Sequence, residues 1–235
     1  MDLAKILQEV QQSQEHKDRT TKGPIGDPQK VRIKMLEILN RMTMEESHGK
    51  RKLILDPETK NAIELICQYA NQEPEYEKDG RDLNKGLWIC GNFGSGKTQL
   101  IKAYRELKGL MNTTVGIQTC GSMNERFMKR DETNREPARY QGIKAFTNPQ
   151  DEVERIFDDL GEEEPTVVDF GNRISIMAHI LNERYKFKLR THVTTNLTMD
   201  QVQQTYGGRI ESRIAETFNI IKLGSKTTST DYRKL

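Results

Sequence analysis

The chain has 235 residues, 31% of them charged and 34% hydrophobic, with a formal net charge of +2 at pH 7. That length fits one α/β domain with a short extension, and the balanced charge requires any nucleic-acid contact to be a local basic patch. No apolar run approaches the ~18 residues of a membrane span, and the first residues lack the apolar core of a secretory leader. Cys67, Cys90 and Cys120 are scattered and lack CxxC spacing. A cytoplasmic protein with buried thiols is expected, without a disulfide framework or a zinc site.

Residues 1–20 carry Leu3, Ile6, Leu7 and Val10 at helical spacing, and residues 21–29 hold Gly23-Pro24, Gly26 and Pro28. This reads as an amphipathic helix and a linker. A second helix begins at about Val31. Residues 1–50 are therefore expected to be a helical N-terminal extension that docks on the core, a sister subunit or a partner. Residues 51–235 form the main domain. There the pattern becomes alternating α/β. Leu53-Ile54-Leu55 predicts a short strand. Asp56-Pro57 opens a helix, with Asp56 as N-cap and Pro57 at the first helical position. Ala62, Ile63, Ile66 and Cys67 form its apolar face.

Gly86-Leu87-Trp88-Ile89-Cys90 predicts a buried strand, and Leu100, Ala103, Tyr104 and Leu107 mark one face of a following helix. Between them lies Gly91-Asn92-Phe93-Gly94-Ser95-Gly96-Lys97-Thr98, which satisfies G-x-x-x-x-G-K-[ST] at every fixed position. Strand, glycine loop and helix in that order build a phosphate cradle. The glycines turn backbone N–H groups inward, and the helix N-terminus adds partial positive charge. Lys97 can reach the β- and γ-phosphates, and the Thr98 hydroxyl can ligate Mg²⁺. Residues 114–120 predict a second strand, 122–129 a helix, and 130–141 a polar excursion.

Nucleotide hydrolysis also needs an acid at the end of a neighbouring strand. Two runs qualify. One is Val153-Glu154-Arg155-Ile156-Phe157-Asp158-Asp159, and the other is Thr166-Val167-Val168-Asp169. The first is preferred, because adjacent acids can divide the work: Asp158 on the metal and Asp159 on the attacking water. A long helix over 172–186 and a strand over 191–196 follow. Asn196, at the end of that strand, can hydrogen-bond water or serve as an ordinary turn residue.

The ordered set resembles the DnaC-type helicase-loader branch of the AAA+ ATPases, which also includes insertion-sequence transposition helpers. The phosphate loop opens the set. Asp158-Asp159-Leu160-Gly161, Asn182-Glu183-Arg184-Tyr185, Thr194-Thr195-Asn196-Leu197, Gly208-Arg209-Ile210-Glu211-Ser212-Arg213-Ile214 and Asp231-Tyr232-Arg233 follow it. The similarity covers about residues 51–235. It implies a P-loop NTPase fold, a parallel sheet sandwiched by helices; as a departure from the family, no C-terminal lid domain is expected after Arg233. Gly91 through Thr98 then bind ATP, and Thr98 and Asp158 hold Mg²⁺. Asp159 and Asn196 act on the attacking water. Arg213 matches the arginine finger that reaches a neighbour's γ-phosphate, and Arg233 matches a late nucleotide-binding arginine. Read alone, Arg209 and Arg213 are an i, i+4 pair on a solvated helix. The second acid is Asp159 where most AAA+ members carry Glu, which implies slow hydrolysis.

The resemblance further implies DNA contact through an extra helical element after the second strand, with Arg126, Phe127, Lys129 and Arg130. Basic groups there can track phosphates and an aromatic can stack on a base. The function so implied is an ATP-dependent helicase loader for DNA replication. It assembles into homo-oligomers through ATP at subunit interfaces, prefers single-stranded DNA and has a replicative helicase as partner. The alternatives are a transposition helper that binds duplex DNA and recruits a transposase, and a nucleotide-gated adaptor with negligible hydrolysis.

Overall fold

The structure, a computed structural model, describes residues 24–128, 141–150, 153–169 and 171–224. The helix expected over residues 1–20, most of the 130–141 excursion, and Lys129, Arg130 and Arg233 lie outside them.

Helix α1 (Pro28–Glu46) opens at Asp27, whose carboxylate accepts the Gln29 and Lys30 N–H groups at 2.9 and 3.4 Å. Proline at the first turn costs no hydrogen bond there. The helix buries Val31, Met35, Ile38 and Leu39. Arg32 binds Glu64 at 2.5 and 2.8 Å and Glu73 at 2.8 and 3.0 Å. The described part of the N-terminal extension thus docks on the core. Helix α2 (Pro57–Asn71) starts as its sequence predicts: Asp56 accepts from Glu58 and Thr59 N–H groups at 2.8 and 3.0 Å.

The chain then runs β1 (Gly86–Gly91), α3 (Lys97–Leu110), β2 (Val115–Thr119), α4 (Met123–Met128), α5 (Gln141–Thr147) and β3 (Glu154–Leu160). A hairpin of β4 (Val167–Asp169) and β5 (Asn172–Ile174) precedes α6 (Ile176–Lys186). The chain continues as β6 (Thr191–Thr195), α7 (Met199–Tyr206), α8 (Gly208–Thr217) and β7 (Phe218–Leu223). Five strands form one parallel sheet in the order β2-β3-β6-β1-β7. The two-residue period of a strand sends successive side chains to opposite faces. Leu87 and Ile89 therefore face α1, α2 and α3, whereas Trp88 joins Phe157, Val193 and Phe218 against α4 to α8.

Two expectations change, and the less favoured acid falls outside the main sheet. Leu53-Ile54-Leu55 forms no strand; Leu53 and Leu55 pack half-buried on the core, and β7 takes the sheet position beside β1. The 172–186 helix is a strand and then a helix, because the Ser175 hydroxyl caps α6 by accepting from Ala178 N–H at 3.4 Å. Val167–Asp169 pairs antiparallel with β5 in its own hairpin. Asp169 therefore does not end a strand of the main sheet.

Polar side chains fasten both faces of the sheet. Arg184 is 1% exposed and donates to the Thr191 hydroxyl and to the carbonyls of Phe146 and Arg190, at 2.8, 2.9 and 2.9 Å. Asn124 of α4 donates to the Glu164 carbonyl at 2.8 Å. His192, fully buried, accepts the Leu87 N–H at its Nδ1 at 3.1 Å and sets Nε2 3.4 Å from Glu154. Tyr104 of α3 donates to the same carboxylate at 2.8 Å. Among the described residues no helix is long and apolar enough to cross a membrane.

Candidate nucleotide-binding site

Between β1 and α3 the backbone turns with φ +150° at Gly91, +75° at Gly94 and +86° at Gly96. Gly91 also meets the end of β7: a Cβ there falls 1.8 Å from the Leu223 carbonyl oxygen. Any side chain would therefore push the loop off the sheet. Asn92 braces the same junction by donating to the Gly224 carbonyl at 2.8 Å. Lys97 is 4% exposed, and its ammonium donates to the Gly91 and Asn92 carbonyls at 3.0 and 2.8 Å. Its charge is thus held inside the loop curve. Phe93, 66% exposed, stands out from the loop.

The loop lines a cavity of about 420 Å³. Its other walls are Asp159, Glu162 and Asn196 on one side and Leu39, Thr43 and residues 50–54 on the other. Gln99 ties the walls by donating to Glu46 at 2.7 Å. The segment expected as a strand is therefore a wall of this cavity. No local pattern in residues 50–54 marks them for that place; it follows from how α1 packs.

The two acids reach the site by an irregularity. Adjacent residues of a regular strand point to opposite faces. In β3 the register against β6 shifts between Phe157 and Leu160, and Asp159 takes φ +59°. Aspartate tolerates that left-handed conformation better than most residues. The bulge brings both carboxyl groups to the loop. Asp158, 1% exposed, accepts from Thr98 at 3.3 Å and from Thr194 at 2.5 Å. Asp159 lines the cavity while its N–H donates to the Thr194 hydroxyl at 2.8 Å. Asn196 lines the cavity too, and its buried Oδ1 lacks a hydrogen-bond partner among the described residues.

The Thr98 hydroxyl and Asp158 carboxylate are adjacent hard oxygen donors. They fit Mg²⁺, which takes one or two protein oxygens and completes its shell with phosphate and water. Among the described residues no group of three or more His, Cys, Asp or Glu side chains is placed to hold a metal by itself.

Arg213 does not line this cavity. Its Nη1 donates to Asn182 Oδ1 at 2.5 Å, and its guanidinium sits 4.0 Å over the Tyr185 ring. The element read as a DNA contact is corrected at one position. Phe127 is fully buried with Met123, Ile143 and Phe146, so its ring is not offered to a base. Arg126 is exposed and lies 5.8 Å from the Phe146 ring centroid. Thr194 is the residue that sequence reasoning missed. Its alternation with Val193 was visible, but its contact with both acids depends on the bulge.

No protein-family model matches the chain, and no curated protein matches its sequence. Solved structures do. The chain is similar to the crystal structure of the DnaC helicase loader, at 17% identity and TM-score 0.55, over 73% of this chain and 93% of that one. It is similar to the crystal structure of DnaI at 25% identity and TM-score 0.51, over 76% of this chain and 87% of that one. The replication initiator DnaA, solved with AMPPCP and single-stranded DNA, matches at 15% identity and TM-score 0.52. That match covers 81% of this chain and about half, 52%, of DnaA. Sheet order, phosphate loop and paired acids together give the chain the fold of a AAA+ P-loop NTPase, with the DnaC helicase loader and DnaI among its structural neighbours.

Proposed function

We propose that the chain is an ATP-dependent helicase loader that assembles through ATP at subunit interfaces and grips single-stranded DNA. The observation that carries this reading is one junction: Thr98 of the phosphate loop and Thr194 of β6 both donate to Asp158, beside a cavity sized for a nucleotide. The likeness to the DnaC helicase loader, over 73% of this chain and 93% of that one, supports the loader role.

In this reading the loop N–H groups and Lys97 bind the phosphates of ATP. Thr98 and Asp158 would hold Mg²⁺, which would supply charge neutralisation at the phosphates. Asp159 accepts a proton from the attacking water, and Asn196 orients that water through its Oδ1, which has no partner among the described residues. Arg213 acts on a neighbour's nucleotide, since it lies outside its own chain's cavity. Arg233 binds nucleotide late in the chain. Arg126, Lys129 and Arg130 supply cations to the DNA backbone, and residues 1–50 carry the helicase-docking segment.

The test is sedimentation of the full chain with Mg²⁺-ATP, a replicative helicase from the same source, and labelled single-stranded or duplex DNA. An ATP-dependent complex with helicase and a preference for the single strand supports the loader. ATP-dependent coating of duplex without helicase binding overturns it in favour of a transposition helper. Tight ATP binding without measurable turnover in any assembly leaves an adaptor.

A further inference from the structure

Three arginines of the described core are held in three different ways. Arg32 is neutralised by the carboxylates of Glu64 and Glu73. Arg184 is buried and spends its donors on carbonyl and hydroxyl oxygens. Arg213 has a neutral amide oxygen and an aromatic face as its contacts, and among the described residues it joins no ion pair.

That difference is not for want of acids. Glu183 on α6 reaches Lys186 at 3.7 Å, and Glu216 on α8 takes the Tyr185 hydroxyl at 2.9 and 3.0 Å. The Tyr185 ring is thus pinned by one residue of α8 while it supports another. A guanidinium over an aromatic ring keeps its charge and most of its donors. It also loses in advance much of the rotamer freedom that an arginine otherwise carries into an encounter.

We propose that Asn182 and Tyr185 are positioning residues that hold the Arg213 guanidinium for an anionic phosphate presented by a second copy of this chain. The inference rests on the reading that Arg213 acts across a subunit interface. It also assigns the motif Asn182-Glu183-Arg184-Tyr185: Asn182 and Tyr185 carry the arginine of α8, while Arg184, between them, fastens the helix to the core.

Mixed assemblies test it. A Lys97→Ala chain lacks a working phosphate loop and can contribute only its Arg213 to a neighbour. An Arg213→Ala chain can contribute only its nucleotide site. Mixing the two restores junctions with both parts, and ATP turnover is the readout. Tyr185→Leu placed in the Lys97→Ala chain is expected to cut the recovered turnover about 10- to 100-fold, the scale of a misplaced catalytic group. The same substitution in the Arg213→Ala chain is expected to leave recovery nearly intact. Tyr185→Phe keeps the ring and is expected to retain most recovery from either chain, and Asn182→Ala should follow Tyr185→Leu.

Fluorescent ATP-analogue binding by a Tyr185→Leu chain with an intact phosphate loop checks that the variant folds. Equal loss from both placements, with mixed assemblies shown to form, overturns the positioning role and leaves a helix tie. No recovery in the parent mixture overturns the trans reading of Arg213 and the positioning proposal with it.

Discussion

Thr194 gives its hydroxyl proton to Asp158 at 2.5 Å and takes the Asp159 N–H at 2.8 Å. One side chain on β6 therefore sets the orientation of the first acid and the backbone of the second. Thr194→Val removes both bonds at constant shape. A buried polar group left without its partner costs ~1–3 kcal/mol, about 2–4 °C of melting temperature per kcal/mol at this size. ATP turnover is expected to fall while analogue binding stays. Thr194→Ser should recover both melting and turnover. A valine variant with wild-type turnover sinks the assignment.

The acids are separable. Asp158→Asn is expected to abolish Mg²⁺-dependent turnover, and Asp159→Asn to slow turnover while sparing nucleotide binding. Asp169→Asn should be mild, since Val167–Asp169 is a hairpin strand outside the main sheet. Steady-state ATPase rates of the three purified chains decide it. Loss confined to Asp169→Asn would transfer the role to the hairpin.

Asp159→Glu asks why this chain carries the shorter acid. The residue sits at φ +59° on a bulge, where a longer side chain without local hydrogen bonding to the backbone costs ~1 kcal/mol. Glutamate is expected to lower the melting temperature by about 2–4 °C and not to accelerate turnover. An unchanged melting temperature with faster hydrolysis contradicts this.

Lys97→Ala removes the ammonium held 2.8–3.0 Å from the Gly91 and Asn92 carbonyls. Equilibrium binding of a fluorescent ATP analogue should become undetectable at concentrations that saturate the parent chain. Melting should change little, because the loop glycines and the Asn92–Gly224 bond remain. Parent-like affinity refutes the phosphate role.

The His192–Glu154 pair predicts a pH response. Burial lowers His192 below its ordinary value of 6.5. Its Nδ1 is also committed to the Leu87 N–H, so a second proton costs that bond. Burial opposes ionisation of Glu154, but the contacts with His192 and Arg190 outweigh it and hold the carboxyl below its usual range. In both cases the unfolded chain binds more protons than the folded one, so stability rises with pH and is lost as pH falls. The His192 contribution begins to be lost below about pH 6.5 and that of Glu154 below the usual carboxylate range. His192→Asn keeps an acceptor for Leu87. It should flatten the melting-temperature slope just below pH 6.5, and an unaltered slope assigns that loss elsewhere.

What the sequence disclosed was local. Residues 91–98 are contiguous, so strand, loop and helix could be read together, and Asp56-Pro57 carries its own start signal. The lost parts depend on distant packing. Phe127 has the look of a surface aromatic among Arg126 and Lys129, yet it is buried because Ile143 and Phe146 return to cover it. Leu53-Ile54-Leu55 has strand composition, but β7 occupies the sheet position beside β1. Asp158 and Asp159 were visible as a pair. The register shift that lets both serve one site was not, and neither was the threonine between them.

The Asn124 and Arg184 bonds have a mechanical consequence. Asn124 rests on the Glu164 carbonyl, just past the acids, and the Phe146 carbonyl rests on Arg184 at the root of β6. Helix α4 is thus tied to the loop after β3, and the end of α5 is tied to α6. An exposed position of α4 such as Arg126 can be exchanged without breaking either bond, so what that face touches can drift while the hydrolytic machinery stays as built.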